Sequence, residues 1–208
     1  MTRAASVLLG LLKSSLGYGY SGEEMRSLSC ADWNRVVDLA FDNGVAALAV
    51  DGLQKLYESN PELELEIDSE ALEDLKYEWF GEVMQAENDY REHCQKVKKI
   101  CRTYADNGFK PILLKGIGLS LDYPIPEHRL CGDLDIFLTE GKNLEGDMMI
   151  KEKLGLEVTK KKAGHHSHFT YKGLLVENHY ELSSSYSGGR EGKVARAGIT
   201  DADCYWPF

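Results

Sequence analysis

Ten residues, Leu72, Leu75, Trp79, Val83, Ala86, Tyr90, Cys94, Val97, Cys101 and Tyr104, are separated only by intervals of three and four. Such spacing puts side chains on one face of an α-helix and on no common face of a strand. It therefore predicts one long amphipathic helix, opened by Asp68 or Ser69 and closed at Asn107-Gly108. The aromatic rings in this stripe read as core rather than as a cofactor box. An apolar face of that length needs partners, and the preceding chain supplies them. Ser29 followed by Asp32 is a helix start, after which Trp33, Val36, Val37 and Ala40 recur at helical spacing. Asn43-Gly44 interrupts this helix, and a further helical run follows from Val45 to Tyr57. Between the helices, Glu58 to Glu70 is acidic, contains Pro61 and reads as a solvated connection. The apolar stretch Ala4 to Leu12 is short, is interrupted by Lys13 and lacks a small-residue cleavage site, so it reads as a first amphipathic helix.

At Gly108 the pattern changes. Lys110 to Leu114 is a short apolar strand, followed by Lys115-Gly116-Ile117-Gly118 and a brief helix ending at Tyr123-Pro124. A loop carrying Pro126, His128 and Arg129 leads to Gly132 and to the strand Asp133 to Leu138. A helix is expected over Glu140 to Leu154, and a strand over Leu156 to Lys160. Two more strands, near His166 to Tyr171 and Leu174 to Leu182, flank a hairpin turn at Lys172-Gly173. The fold class is α+β: a helical region over 1–106 packed on a core with a mixed β-sheet over 107–208.

Composition narrows the function classes. Of 208 residues, 43% are apolar, and they run through the whole chain, which excludes intrinsic disorder. No run approaches the roughly 20 apolar residues that a membrane-spanning helix needs, and no membrane partner is expected. A net charge of −10 argues against general nucleic-acid binding, which depends on neutralising phosphates with Lys and Arg. It leaves open a small anionic ligand, whose binding is decided locally. The five cysteines form no CxxC pair and read as reduced thiols, which places the protein in the cytoplasm.

Alternation in the second half carries the chemistry. In a strand over 133–138, Asp133 and Asp135 share one face while Leu134, Ile136 and Leu138 share the other. Neighbouring carboxylates repel unless a cation lies between them, and a divalent metal with oxygen ligands is a common solution. Along 175–181, Leu175, Glu177, His179 and Glu181 share a face, so Glu177 adds a third carboxylate if the two strands are neighbours. Lys115-Gly116-Ile117-Gly118 joins a strand to a helix, where backbone amides can face phosphate; a simple tight turn has the same sequence. The tract His165-His166-Ser167-His168 resembles a metal-binding run, with His166 and His168 joining His179 across the hairpin in one site; because it lacks zinc spacing, it reads in preference as lining the sheet face or as exposed polar residues. No Ser or Cys sits in a recognisable nucleophile turn.

Leu113-Leu114-Lys115-Gly116, Tyr123-Pro124, Arg129, Gly132-Asp133-Leu134-Asp135 and Glu177-Asn178-His179, in that order, resemble the uncharacterised nucleotidyltransferase-like family. That family is a branch of the DNA polymerase β-like nucleotidyltransferase superfamily. The likeness covers about residues 108 to 182, roughly a third of the chain. It implies a polymerase β-like core and metal-dependent transfer of a nucleoside monophosphate from an NTP to an unidentified acceptor: a small molecule, a protein or a polyanion. Asp133, Asp135 and Glu177 would be the catalytic carboxylates and would bind Mg²⁺ or Mn²⁺ in a two-metal mechanism. Lys115, Gly116, Gly118 and Arg129 would lie against the nucleotide's phosphates, Arg129 by bidentate contact. The superfamily's Gly-Ser pair is replaced by Lys115-Gly116 followed by Ile117, which leaves Ser120 as the hydroxyl for phosphate. His168 and His179 would touch the substrate or act as base toward the acceptor. Two rival readings share this fold: an inactive or regulatory nucleotide-binding protein, and a metal-dependent phosphohydrolase.

Outside this constellation, Lys160-Lys161-Lys162 reads as a solvated strand end. Arg190, Lys193 and Arg196, set among glycines, read as an exposed basic loop able to close over a nucleotide or a polyanionic acceptor. Cys204-Tyr205-Trp206-Pro207-Phe208 is apolar where chain ends are commonly polar, which leads to the expectation of a core shortened at its C-terminal end.

Overall fold

The computed structural model describes residues 1–66, 69–160 and 165–181, and for 64–66 and 69–74 the backbone alone. Arg190, Lys193, Arg196, Lys161, Lys162 and the segment 204–208 lie outside the described residues. Helices α1 (Arg3–Ser15), α2 (Cys30–Asp42), α3 (Ala46–Ser59), α4 (Pro61–Glu66) and α5 (Ser69–Asp106) come first. They are followed by β1 (Pro111–Leu114), α6 (Gly116–Ser120), β2 (Asp133–Leu138), α7 (Asn143–Leu154), β3 (Thr159–Lys160), β4 (His166–Tyr171) and β5 (Leu174–His179). This is an α+β fold with an N-terminal helical region and a mixed five-stranded sheet.

Two compact units emerge: Met1–His93 with Leu119–Cys131, and Cys94–Gly118 with the described residues from Gly132 on. The end of α5 at Asp106 is where the sequence changes texture; compactness divides inside that helix instead.

In the first unit the helices form for the reasons their sequences state. Ser29 Oγ accepts from the Asp32 N–H and Asp32 Oδ2 accepts from the Ser29 N–H, a reciprocal cap that starts α2. Val7, Leu11, Val36 and Leu63 are completely buried, each such burial contributing about 1.5–3 kcal/mol. Trp33 and Trp79 fill the same cluster. Helices α1 and α3 approach so closely that a Cβ on Gly52 would lie 2.0 Å from the Leu11 carbonyl oxygen. The acidic stretch read as a solvated connection is in part the helix α4. Asn60 accepts from the Leu63 N–H through its side chain and its carbonyl, Pro61 supplies a pre-set φ at the first helical position, and Leu63 enters the core. Polar contacts tie segment 119–131 down. Ser120 Oγ lies 2.7 Å from the Tyr90 hydroxyl, and His128 Nδ1 lies 2.8 Å from both Asp51 oxygens.

The second unit is built on the sheet, in the order β1-β2-β5-β4-β3. Strands β2 and β5 are parallel, and the other pairs are antiparallel. The β4–β5 hairpin turns at Lys172 and Gly173, both with positive φ (49° and 83°), the backbone of a two-residue hairpin. The expected strand over 156–160 is only Thr159–Lys160. One sheet face is apolar, with Leu134, Ile136, Leu138, Phe169 and Val176 buried, and α7 packs on it. Helix α7 contributes polar groups at its inward positions: Asp147 accepts from Ser167 Oγ (2.7 Å), Asn178 Nδ2 (2.8 Å) and the Tyr180 hydroxyl (3.0 Å). Asn143 joins this network by accepting from the Leu138 N–H and from Asn178.

Among the described residues no helix is long and apolar enough to cross a membrane. Cys30, Cys94, Cys101 and Cys131 carry thiols rather than disulfides, and Cys204 lies outside the described residues.

Candidate functional site

Because α7 occupies one face of the sheet, the alternate residues of β2, β4 and β5 present the other. The parallel register sets Asp133 opposite Leu175, Asp135 opposite Glu177, and Phe137 opposite His179. The antiparallel register of the hairpin then sets His168 opposite Glu177 and His166 opposite His179. Residues paired this way point to the same side. Two aspartates, one glutamate and three histidines thus share one face.

Asp135 is the centre of this group. Its side chain is 3% exposed, its Oδ1 lies 2.6 Å from His179 Nε2, and Lys115 Nζ reaches the same oxygen at 3.3 Å. His179 Nε2 is also 3.6 Å from Glu177 Oε2. The other oxygen of Glu177, Oε1, lies 3.6 Å from His166 Nε2. The ring centroids of His166 and His179 are 5.4 Å apart. The site is therefore a chain of alternating acids and bases, from Lys115 through Asp135, His179 and Glu177 to His166.

One ligand atom each from Asp135, Glu177 and His179 lies within 4.8 Å of the others. Two carboxylates and an imidazole nitrogen converging at that range are a donor set suited to a divalent cation. Asp133 shares the face but not the group: it stands two residues nearer the start of β2, about 6–7 Å along the strand. The sequence grouped Asp133, Asp135 and Glu177, whereas the geometry gathers Asp135, Glu177 and His179.

The phosphate candidates are distributed unevenly. Lys115 follows β1 with φ of 42°, and Gly116 follows with φ of 39°, so two successive left-handed residues turn the chain into α6. That turn sends Lys115 to Asp135, and a Cβ on Gly116 would stand 3.4 Å from the Asp133 carbonyl oxygen. Gly118 sits against the β1 backbone, where a Cβ would be 3.1 Å from the Leu113 oxygen. Ser120 and Arg129 belong to the first unit. Ser120 is fully buried with its hydroxyl at Tyr90, and Arg129 donates to the Leu130 carbonyl and to Cys131 Sγ, with its guanidinium 5.7 Å from the centre of the Tyr123 ring.

A family model described as an uncharacterised nucleotidyltransferase matches residues 29–196. The chain belongs to this family. The match begins far upstream of the residues that carry the sequence resemblance, so family membership extends through the helical region as well as the sheet. Membership gives the protein a general nucleotidyltransferase role. Comparisons with curated proteins and with solved structures give no match.

The sequence offers His166 as a candidate beside His168 and His179, and the hairpin register brings it to Glu177. The role of Asp147 was not legible. Asp147 sits on a helix of weak amphipathicity. Its signal was positional: Asn143, Gly146, Asp147 and Ile150 repeat at helical spacing and are all buried.

Proposed function

We propose that this face of the sheet performs metal-dependent nucleotidyl transfer from an NTP to an acceptor hydroxyl or phosphate. The observation that carries the reading is the register of β2 against β5, which sets Asp135 beside Glu177 on neighbouring parallel strands with His179 at both carboxylates. Asp133, Asp135 and Glu177 would hold Mg²⁺ or Mn²⁺, which supplies Lewis-acid stabilisation of the charge developing on the transferring phosphoryl group.

The chain's own residues do the rest. Lys115 lies beside Asp135 with a largely exposed side chain, so its ammonium can turn to triphosphate oxygens without leaving the site. Gly116, where the chain turns out of β1, would offer its main chain to phosphate, and Gly118 lets that turn pack closely on β1. His168, which pairs with Glu177 in register, would accept the acceptor's proton. The acceptor oxygen bonds to the α-phosphorus, the bond to the bridging oxygen breaks, and pyrophosphate leaves.

The test is incubation of the full chain with each NTP, Mg²⁺ or Mn²⁺ and a cell extract as acceptor source. The expected result is a nucleotidylated product with matching pyrophosphate release, lost in Asp133→Asn and Asp135→Asn. Release of inorganic phosphate instead, or a product unchanged in those variants, overturns the reading; the first outcome indicates a phosphohydrolase.

A further inference from the structure

The ligand-atom geometry gives His179 a place that a carboxylate-only metal site does not explain. Its Nε2 is the atom turned toward both acids, at 2.6 Å from Asp135 Oδ1 and 3.6 Å from Glu177 Oε2. Two donors adjacent on one divalent cation stand about 3 Å apart when each bond is near 2.1 Å. The two observed separations bracket that value, so a cation can be accepted with small side-chain shifts. His166 meets the opposite oxygen of Glu177, Oε1, at 3.6 Å, which leaves Oε2 facing His179.

We propose that the ion held here is a divalent transition-metal ion of borderline softness, Mn²⁺ being the probe, bound through His179 Nε2 together with Asp135 and Glu177, and that Mg²⁺ is the poorer occupant. This deepens the nucleotidyl-transfer reading and rests on it for the ion's purpose, while the ion binding stands on the geometry alone. Mg²⁺ is a hard ion that favours oxygen ligands in near-ideal octahedral geometry and loses water reluctantly, whereas an imidazole nitrogen suits transition ions. His166 is a positioning residue: by engaging Oε1 it orients Glu177, as outer partners orient metal ligands elsewhere. Partial burial favours the same outcome, since the Asp135 carboxylate is 3% exposed and the His179 side chain 17%.

The experiment is titration calorimetry of the full chain with Mn²⁺ and with Mg²⁺, alongside pulsed electron paramagnetic resonance of the Mn²⁺-loaded protein. The wild type is expected to bind Mn²⁺ more tightly than Mg²⁺ and to show ¹⁴N modulation from a directly coordinated imidazole. His179→Gln is expected to remove the modulation and to weaken Mn²⁺ binding roughly 10–100-fold, with Mg²⁺ binding little changed. His166→Ala is expected to weaken Mn²⁺ binding by about tenfold and to keep the modulation. A wild-type spectrum without ¹⁴N coupling, or His179→Gln binding Mn²⁺ as the wild type does, overturns the proposal. The wild-type spectrum decides the matter even if a variant fails to fold. Transfer from NTP without ¹⁴N coupling defeats this proposal and leaves nucleotidyl transfer standing; coupling without transfer does the reverse.

Discussion

Asp135 and Glu177 stand opposite each other on adjacent parallel strands, and His179 Nε2 lies within 3.6 Å of an oxygen of each. Donor atoms gathered this way suit a divalent cation. A ligand that binds only the folded state stabilises it by mass action, by about 2.7 kcal/mol at a hundredfold excess over Kd. Mn²⁺ at that excess should therefore raise the thermal transition of the wild type. The same concentration should leave Asp135→Asn and Glu177→Gln almost unmoved. Differential scanning fluorimetry with and without a chelator reads both.

Asp147 is a second buried carboxylate with a different duty. It accepts from Ser167, Asn178 and Tyr180, and so fixes the β4–β5 hairpin to α7. Each buried donor left without an acceptor costs about 1–3 kcal/mol, so Asp147→Ala is expected to destabilise by about 3 kcal/mol or more. Urea denaturation measures the loss. Because β5 carries Glu177 and His179, metal binding should weaken in parallel, although Asp147 lies on the other face of the sheet.

His128 predicts a pH dependence of stability. Its Nδ1 lies against both oxygens of Asp51 on α3, and its Nε2 lies 3.4 Å from Glu87 on α5, which is itself paired with Arg91. The Asp51 hydrogen bond holds the imidazolium above its usual range; burial opposes this, and the Asp51 and Glu87 charges add to it. A raised folded-state pKa contributes stability that is complete below the unfolded value of about 6.5 and is lost as pH rises through the folded value. Urea midpoints across a pH series should show wild type and His128→Gln furthest apart at the acid end of that window and converging as pH rises.

Gly52 marks where α1 and α3 touch backbone to backbone. A Cβ there would overlap the Leu11 carbonyl oxygen, which cannot swing away as a side chain can. Overpacking of this kind costs typically about 1–3 kcal/mol, and Gly52→Ala should reach the top of that range. Ala gains about 1 kcal/mol over Gly by helix propensity alone, so a loss of stability in a urea melt isolates the packing term.

Local chemistry made much of the architecture legible. The stripe from Leu72 to Tyr104 announced α5, Ser29 with Asp32 announced the start of α2, and Lys172-Gly173 announced the hairpin. The alternation of Asp133 and Asp135 with apolar residues assigned the two faces of β2 before its neighbours were known. What the sequence left open was pairing. Period-two patterns say which face a residue takes but not which strand lies beside it, so Glu177 beside Asp135 remained conditional until the register was seen. Nor could spacing place Asp133 outside the tightest group and His179 inside it, because that depends on reach across strands. Helix α4 escaped notice because an acidic composition masked one inward leucine, Leu63.

Under the proposed function these carboxylates direct transfer of a nucleotidyl group. The decisive assay supplies NTP labelled at the α-phosphate in one reaction and at the γ-phosphate in another, with wild type and Asp135→Asn side by side. With wild type, α-label is expected to enter the acceptor and γ-label to appear only in pyrophosphate, and Asp135→Asn is expected to do neither. γ-Label in the acceptor, or equal transfer by Asp135→Asn, would contradict that function.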